Sequence, residues 1–157
     1  MGAVFSFTWS ERPGVTVIAQ PAPTVVVDVA NVMGARPDGW WRDRAGAALR
    51  LCRDVASLAA RGVPAERMPD GLRAPAGWVL VLEGQARAAA AMLDGVPSSV
   101  RVAAAPGSGD DTIVAEAAAA ASAAGACLVV TADRELRRRC AETGAATAGP
   151  GWLLGLL

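Results

Sequence analysis

Four short apolar runs, each followed by a predicted helix, most constrain what this chain can fold into. They occupy residues 24–29, 77–83, 99–104 and 126–131. Their apolar residues do not follow a strict alternation, which is typical of strands buried on both faces. Helices are predicted at residues 41–60, 85–93, 110–125 and 133–143.

A chain that alternates strands and helices is expected to form a parallel sheet with helices on both faces. We therefore predict an α/β fold of three layers, α-β-α, with a central, mostly parallel sheet of four to five strands. Residues 145–148 would form the fifth strand. The apolar tail, residues 151–157, is expected to pack back on the sheet.

The length of 157 residues suits one domain with its own core. No internal repeat or linker divides the chain, so a single domain is predicted over residues 24–157. Residues 1–23 are predicted to be a loosely structured N-terminal arm. Glu11 and Arg12 interrupt the weakly apolar stretch there, so it does not resemble a signal peptide.

No apolar run is long enough to cross a bilayer as a helix, so no membrane partner is expected. The three cysteines, Cys52, Cys127 and Cys140, are odd in number and show no C-x-x-C spacing. They are predicted to be reduced, partly buried thiols in a cytoplasmic protein. The lysine-free composition, rich in arginine, alanine and glycine, is typical of high-GC bacterial coding.

The absence of two residue types excludes several classes of enzyme. The chain has no histidine, which excludes Ser-His-Asp and Cys-His catalysis and histidine-ligated zinc within it. All fifteen basic residues are arginines, so there is no Walker A lysine and no Schiff-base lysine. The remaining chemistry must use carboxylates, arginine, hydroxyls, amides, cysteine or a bound metal.

Acidic side chains follow each of the four predicted strands. In parallel sheets the functional crevice lies beyond the carboxyl ends of the strands, so these side chains are expected at one edge. The residues in strand order are Asp28 with Asn31, then Glu83, then Asp110 and Asp111, then Asp133.

Simpler roles are open for most of these residues. Asp110, Asp111 and Asp133 begin helices, where acids cap the helix or favour its dipole. Glu83 could be a solvated residue, and Asn31 could be a turn asparagine. Asp28 is harder to explain, because an ionised aspartate within a run of valines needs a partner or a metal.

Several carboxylates that face one crevice repel each other unless a divalent cation lies among them. Ligand sets made only of oxygen select hard cations, Mg²⁺ or Mn²⁺ first. A metal held by carboxylates in a histidine-free site suggests phosphoester chemistry.

Three motifs resemble those of NYN domains, a branch of the PIN-like nuclease superfamily. Residues 25–34 (VVVDVANVMG) resemble its opening pattern of a hydrophobic strand followed by D-x-x-N-V-x-G. Residues 108–114 (SGDDTIV) resemble its acidic helix start, and residues 129–136 (VVTADREL) resemble its V-T-S/A-D-R-x-L segment. Residues 36–47 (RPDGWWRDRAGA) resemble a signature of bacterial relatives. The resemblance spans about residues 24–144.

The resemblance implies a PIN-like fold and a ribonuclease that hydrolyses RNA phosphodiester bonds with metal-activated water. It implies that Mg²⁺ or Mn²⁺ is bound by the acidic positions that match its motifs, and that an asparagine, Asn31, lies beside the first of them. The matching acidic residues are Asp28, Asp110, Asp111 and Asp133. Glu83 joins this metal site on its strand-end position alone.

Asn31 and two arginines near the predicted crevice are predicted to bind the substrate, the arginines through its phosphates. Arg44 follows the first strand and Arg134 follows Asp133 directly, and the guanidinium group matches phosphate oxygens. Residues 137–139 are three further arginines that are predicted to form a solvated face. The net charge is zero, so no global basic field indicates a nucleic-acid partner.

Trp40 and Trp41 could stack on bases, or one ring could lie in the core while the other anchors a loop. Residues 152–157 could cover a sheet edge or a partner, such as a second copy in a homodimer. Three functions remain open: a ribonuclease that binds single-stranded or structured RNA, a hydrolase of nucleotides or other small phosphates that uses the same carboxylates, and a non-catalytic RNA-binding module.

Overall fold

The computed structural model describes residues 22–157, which form a five-stranded sheet covered by helices on both faces. The strands are β1 (Thr24–Asp28), β2 (Gly77–Leu82), β3 (Val100–Ala104), β4 (Cys127–Val130) and β5 (Ala146–Ala148). All neighbouring strands are parallel, in the order β3-β2-β1-β4-β5. The predicted α/β architecture and parallel sheet are therefore confirmed. The N-terminal arm predicted for residues 1–23 lies almost wholly outside the described residues.

Five α-helices connect and follow the strands. They are α1 (Val29–Gly34), α2 (Arg44–Arg61), α3 (Gly109–Ala124), α4 (Arg134–Glu142) and α5 (Pro150–Leu154). Short 3-10 helices occupy Trp40–Arg42, Ala65–Arg67 and Gly84–Met92. The last of these replaces the α-helix predicted at residues 85–93.

Helix α1 was not predicted, because its apolar residues continue the β-branched run of β1. The chain turns into helix at Val29 because Asp28 caps it: the Asp28 side chain accepts a hydrogen bond from the Asn31 backbone N–H. The first strand therefore ends one residue earlier than predicted, and Asp28 lies at its carboxyl end.

The two faces of the sheet bury different side chains. One face packs alternate strand residues, such as Val25, Val27 and Leu80, against Leu51 and Val55 of α2. The opposite face packs the intervening strand residues against smaller side chains of α3 and α4. This second set includes Val26, Val79, Val129, Ile113, Ala117, Leu136 and Cys140. Side chains alternate along a strand, so Asp28 points to the same side as Val26, towards α3 and α4.

The apolar tail forms α5, whose Leu153 is fully buried in the core on the α2 side. Arg61 and Arg67 donate hydrogen bonds to the carbonyls of Leu156 and Gly155, at 2.6 and 3.0 Å. Trp152 Nε1 donates to the Arg67 carbonyl at 2.7 Å. The tail thus packs beside the helices that cover the sheet, and these contacts hold it in place.

All three cysteines are buried and free. Burial raises the pKa of the Cys52 thiol to about 12 and that of Cys127 to about 12. Burial also raises the pKa of Cys140 to about 11. These thiols stay protonated at neutral pH and lie in the core, as inert side chains do. Within residues 22–157, no helix combines the length and apolar character needed to cross a bilayer.

The sheet order changes direction at its central strand. From β1 the chain adds β2 and β3 on one side, and then crosses to β4 and β5 on the other side. Crevices at such switch points, beyond the carboxyl ends of the strands, are where α/β sheets bind ligands. The carboxyl ends of β1 and β4 flank this point.

Candidate active site

Asp28 is the buried carboxylate at the centre of the candidate site, with 9 % of its surface exposed. Its Oδ1 accepts the Asn31 backbone N–H at 3.2 Å, and its Oδ2 accepts the Thr131 hydroxyl at 2.9 Å. Thr131 follows β4 and is fully buried. The buried aspartate is therefore held by one hydrogen bond to each oxygen, across the switch point of the sheet.

Four carboxylates line one open depression of about 280 Å³ at this edge of the sheet. We call it the acidic cavity. Its lining residues are Asp28, Ala30, Asn31, Glu83, Asp110 and Asp133. They come from the ends of β1 and β2 and the starts of α1, α3 and α4, so segments far apart in the chain meet here.

Burial and neighbouring charges raise the pKa values of two carboxylates of the acidic cavity, Asp28 and Asp110. The pKa of Asp28 is raised first by burial and further by the charges of Glu83 and Asp110. The hydrogen bonds from Thr131 and the Asn31 backbone partly oppose this shift. Ionising Asp28 therefore costs more than ionising an exposed aspartate, and a cation in the cavity would offset that cost.

Asp110 shows the same crowding at the start of α3. Burial raises its pKa, and so do the charges of Asp133, Glu83 and Asp111, while Arg139 opposes the shift. Among residues 22–157, no hydrogen-bond donor contacts the Asp110 carboxylate. Its two oxygens can therefore bind water or a cation.

Glu83 is held against the first residue of α3. Its Oε2 accepts the Gly109 backbone N–H at 2.6 Å. A Cβ atom at Gly109 would lie 2.5 Å from the same oxygen, so a larger residue would displace the carboxylate. Glycine is therefore required for this contact, which also satisfies one free N–H at the helix start.

The loop between β4 and α4 is tied to α1. Asn31 Oδ1 accepts the Ala132 backbone N–H at 2.8 Å, and Thr131 Oγ1 accepts the Asp133 backbone N–H at 3.2 Å. Asp133 Oδ1 caps α4 by accepting the Leu136 N–H at 2.8 Å. Asp133 therefore caps the helix with one oxygen and also lines the acidic cavity. Asn31 supports the loop through its amide oxygen.

Asp111 lies outside the acidic cavity. Its side chain is 81 % exposed, and its Oδ1 accepts Arg139 of α4 at 2.7 Å. Position 111 is one residue further round the first turn of α3, which turns its side chain away from the sheet edge. The structure therefore groups Asp110 with Asp28, Glu83 and Asp133 and separates Asp111 from them.

The predicted substrate arginines lie in different places. Arg134 is exposed at the first position of α4, next to Asp133. Arg44 begins α2, and its guanidinium carbon lies 5.5 Å from the centre of the Trp40 ring. Arg44 and Trp40 line a second cavity of about 430 Å³, which shares Ala30 and Glu83 with the acidic cavity. We call it the tryptophan cavity.

The arginines at 137–139 do not act as one solvated face. Arg137 donates to Thr147 of β5, Arg139 pairs with Asp111, and Arg138 pairs along its own helix with Glu135 and Glu142. Of the three, Arg138 matches the predicted solvated role. Arg139 also supplies positive charge near Asp110.

Within residues 22–157, no three acidic or cysteine side chains lie close enough together to hold a metal ion directly. Mg²⁺ commonly keeps several water ligands and binds proteins through one or two carboxylates, so the four carboxylates fit a hydrated cation. The oxygens that would face this cation are those that accept no hydrogen bond from the described residues. They are both oxygens of Asp110 and Oδ2 of Asp133.

Two residues that shape the site were not singled out from the sequence. Thr131 contacts both Asp28 and the Asp133 backbone, and Gly109 makes room for Glu83. A hydroxyl directly after a buried apolar strand was a signal for the first. No sequence signal indicated the second, because its role depends on a side chain 26 residues away.

Comparison with models of known protein families found no match, and comparison with curated proteins found none. Among solved structures, the chain is similar to Rae1 (YacP) from Bacillus subtilis, crystallised in a mutant form. The two share 17 % sequence identity with a TM-score of 0.58, over 85 % of this chain and 74 % of that chain. At this identity the likeness establishes the fold alone, which is the predicted α/β arrangement of a parallel sheet with helices on both faces.

Proposed function

We propose that this chain is a metal-dependent ribonuclease that hydrolyses RNA phosphodiester bonds. One observation carries the proposal: the buried Asp28 carboxylate faces one cavity with Glu83 and Asp110 at the switch point of the sheet. The motif resemblance to NYN domains and the fold shared with Rae1 support it. The catalytic unit would be the single domain of residues 24–157.

A bound Mg²⁺ or Mn²⁺ would supply a water of lowered pKa and neutralise charge on the phosphate. Asp28, Asp110 and Asp133 would hold it largely through its bound waters, with Glu83 as a further carboxylate lining the cavity. Asp28 is the anchor, because Thr131 and the Asn31 backbone fix both of its oxygens. Asp111 would act through Arg139 rather than as a direct ligand.

The remaining groups have separate tasks in this proposal. Asp110 would accept a hydrogen bond from the attacking water, since its oxygens have no donor among the described residues. Arg134, the exposed residue that follows Asp133, would hold a phosphate oxygen. Asn31 would position Asp133 through the Ala132 N–H.

The shape of the acidic cavity favours a polymer over a small phosphate. The cavity is an open depression lined by carboxylates, and no arginine of residues 22–157 lines it. A free phosphate would find little enclosure there, whereas a strand can contact the surface on either side. A hydrolase of small phosphates is thus the weaker alternative.

The test is cleavage of end-labelled single-stranded RNA by the purified chain, with and without Mn²⁺. Asp28→Asn should lower the rate by about 100-fold or more, because it removes the anchoring charge. Asp94→Asn is the matched control, since Asp94 is an exposed aspartate outside both cavities. Mn²⁺ should also raise the Tm of the unmodified chain but not of the Asp28 variant.

Cleavage that ignores the metal, or that survives in the Asp28 variant, would rule out the mechanism. A panel of nucleotides in the same assay tests the alternative that the chain hydrolyses small phosphates. RNA binding without Mn²⁺ binding or cleavage would leave the non-catalytic module as the function.

A further inference from the structure

The tryptophan cavity has a different character from the acidic cavity that it adjoins. Its wall includes the apolar side chains of Met33 and Ala86, the Trp40 ring, and the polar side chains of Arg44 and Gln85. Glu83, at the junction, is the one carboxylate among the described residues that line it. The two cavities share Glu83 and Ala30, so a ligand can extend from one into the other.

Trp40 is held in a defined orientation. It is half-buried against the core on the α2 side, and Trp41 packs edge-on against it, with ring centres 6.1 Å apart. Gly34 lies beside the ring, where a Cβ atom would be 3.9 Å from Trp40 Cζ2. The Arg44 guanidinium lies over the same ring at 5.5 Å. The indole and the guanidinium thus form a preorganised stacking surface.

The size and chemistry of this cavity suit a flat heteroaromatic ring. About 430 Å³ falls within the range of small-molecule sites. Unpaired bases stack on aromatic side chains and on guanidinium planes. Gln85 carries both a donor and an acceptor, which can pair with the edge of a base.

We propose that the tryptophan cavity binds an unpaired base of the RNA strand, next to the phosphate that enters the acidic cavity. The proposal rests on the proposed ribonuclease function. A base inside this cavity cannot be paired in a duplex, because its edge and its face are both covered by protein. The enzyme therefore requires a locally single-stranded nucleotide beside the cut, and the cavity aligns the neighbouring phosphate with the carboxylates.

The test uses short single-stranded RNAs in which one base at a time is replaced by an abasic ribose. Binding is measured by fluorescence anisotropy in EDTA, so that it does not depend on cleavage. Cleavage of the intact RNA in Mn²⁺ is measured in parallel, which scores the proposed function separately. The variants are Trp40→Leu and Arg44→Ala. The matched control is Arg53→Ala, which removes a positive charge from another exposed position of α2.

In the unmodified chain, one abasic position should raise the Kd about tenfold, the effect expected for loss of one stacked base. Trp40→Leu and Arg44→Ala should raise the Kd of intact RNA by a similar factor and remove the difference between intact and abasic RNA. Arg53→Ala should keep that difference. Thermal unfolding shows whether the Trp40→Leu variant folds. If that variant does not fold, Arg44→Ala, which changes an exposed residue, still tests the cavity.

If no abasic position weakens binding, or if the variants weaken intact and abasic RNA equally, the cavity does not bind a base and the proposal fails. Cleavage with no base dependence would overturn this proposal and leave the ribonuclease standing. Base-dependent binding without cleavage would support the base site in the tryptophan cavity and overturn the proposed ribonuclease function.

Discussion

The acidic cavity and the tryptophan cavity adjoin each other, yet they are built in opposite ways. The acidic cavity brings four carboxylates together from strand ends and helix starts spread over residues 28–133. The tryptophan cavity comes from two local segments, residues 30–44 and 83–86, with Gly107 at its edge. The first concentrates like charge, and the second combines apolar side chains with a stacked cation.

The difference separates chemistry from recognition. Without a cation, ionising Asp28 and Asp110 opposes folding, because burial and neighbouring carboxylates raise the pKa values of these two residues. The tryptophan cavity carries no such cost, since Arg44 lies over an aromatic ring. Changes in the acidic cavity should therefore alter metal binding and turnover, and changes in the tryptophan cavity should alter RNA affinity.

Two neighbouring residues in the chain give the sharpest way to break this comparison. Asp110→Asn should lower turnover by about 100-fold, because it removes charge from the acidic cavity. Asp111→Asn should lower it only a few-fold, through the freed Arg139. Steady-state cleavage in Mn²⁺ measures both, and the KM for RNA should change little in either. Equal losses would mean that Asp111 also binds the metal.

Loss of the Thr131 hydroxyl should have the next largest effect. Thr131→Val removes the donor to Asp28 and the acceptor for the Asp133 N–H, so Mn²⁺ affinity should fall about tenfold, as for other groups that orient metal ligands. Thr131→Ser keeps the hydroxyl and should restore most of the affinity. Mn²⁺ titration by calorimetry measures the change, and unchanged affinity in the valine variant would mean that Asp28 needs no orienting partner.

A change that moves Glu83, which lines both cavities, should have a smaller effect on turnover. Gly109→Ala places a methyl group 2.5 Å from Glu83 Oε2, which is too close, so turnover should fall a few-fold as the carboxylate moves. Gly151→Ala, in α5, is the control, because a Cβ at that glycine would meet no atom of residues 22–157 within 4 Å apart from its chain neighbours and its own helix backbone. A loss shared by both variants would indicate a general effect on stability.

The smallest effect concerns stability in metal-free buffer. Burial raises the pKa of folded Asp28 above its unfolded value, so ionisation destabilises the fold. Stability should fall as pH rises through the raised pKa and recover as pH drops towards the unfolded value. Asp28→Asn mimics the neutral form and should be the more stable chain at pH 7. Urea unfolding in EDTA at several pH values tests this, and a less stable asparagine variant would contradict it.

Local signals predicted the fold well wherever a residue's own segment decides its structure. The apolar runs indicated β1 to β4, and Gly125 and Gly144 indicated where α3 and α4 end. Helix α1 was missed because valines favour strands, and the cap from Asp28 overrode that preference. The segment at Gly84–Met92 was predicted to be an α-helix and is a 3-10 helix.

The sequence by itself placed carboxylates at the ends of parallel strands, because strand and helix patterns determine where each loop must open. It also indicated that Asp28 needs a partner, since a charge among valines loses its hydration. Only the tertiary structure decided that Thr131 is one such partner, that Gly109 admits Glu83, and that Asp111 points away to Arg139. These contacts join residues 26 to 103 positions apart, and no local pattern records which side chains will meet across such distances.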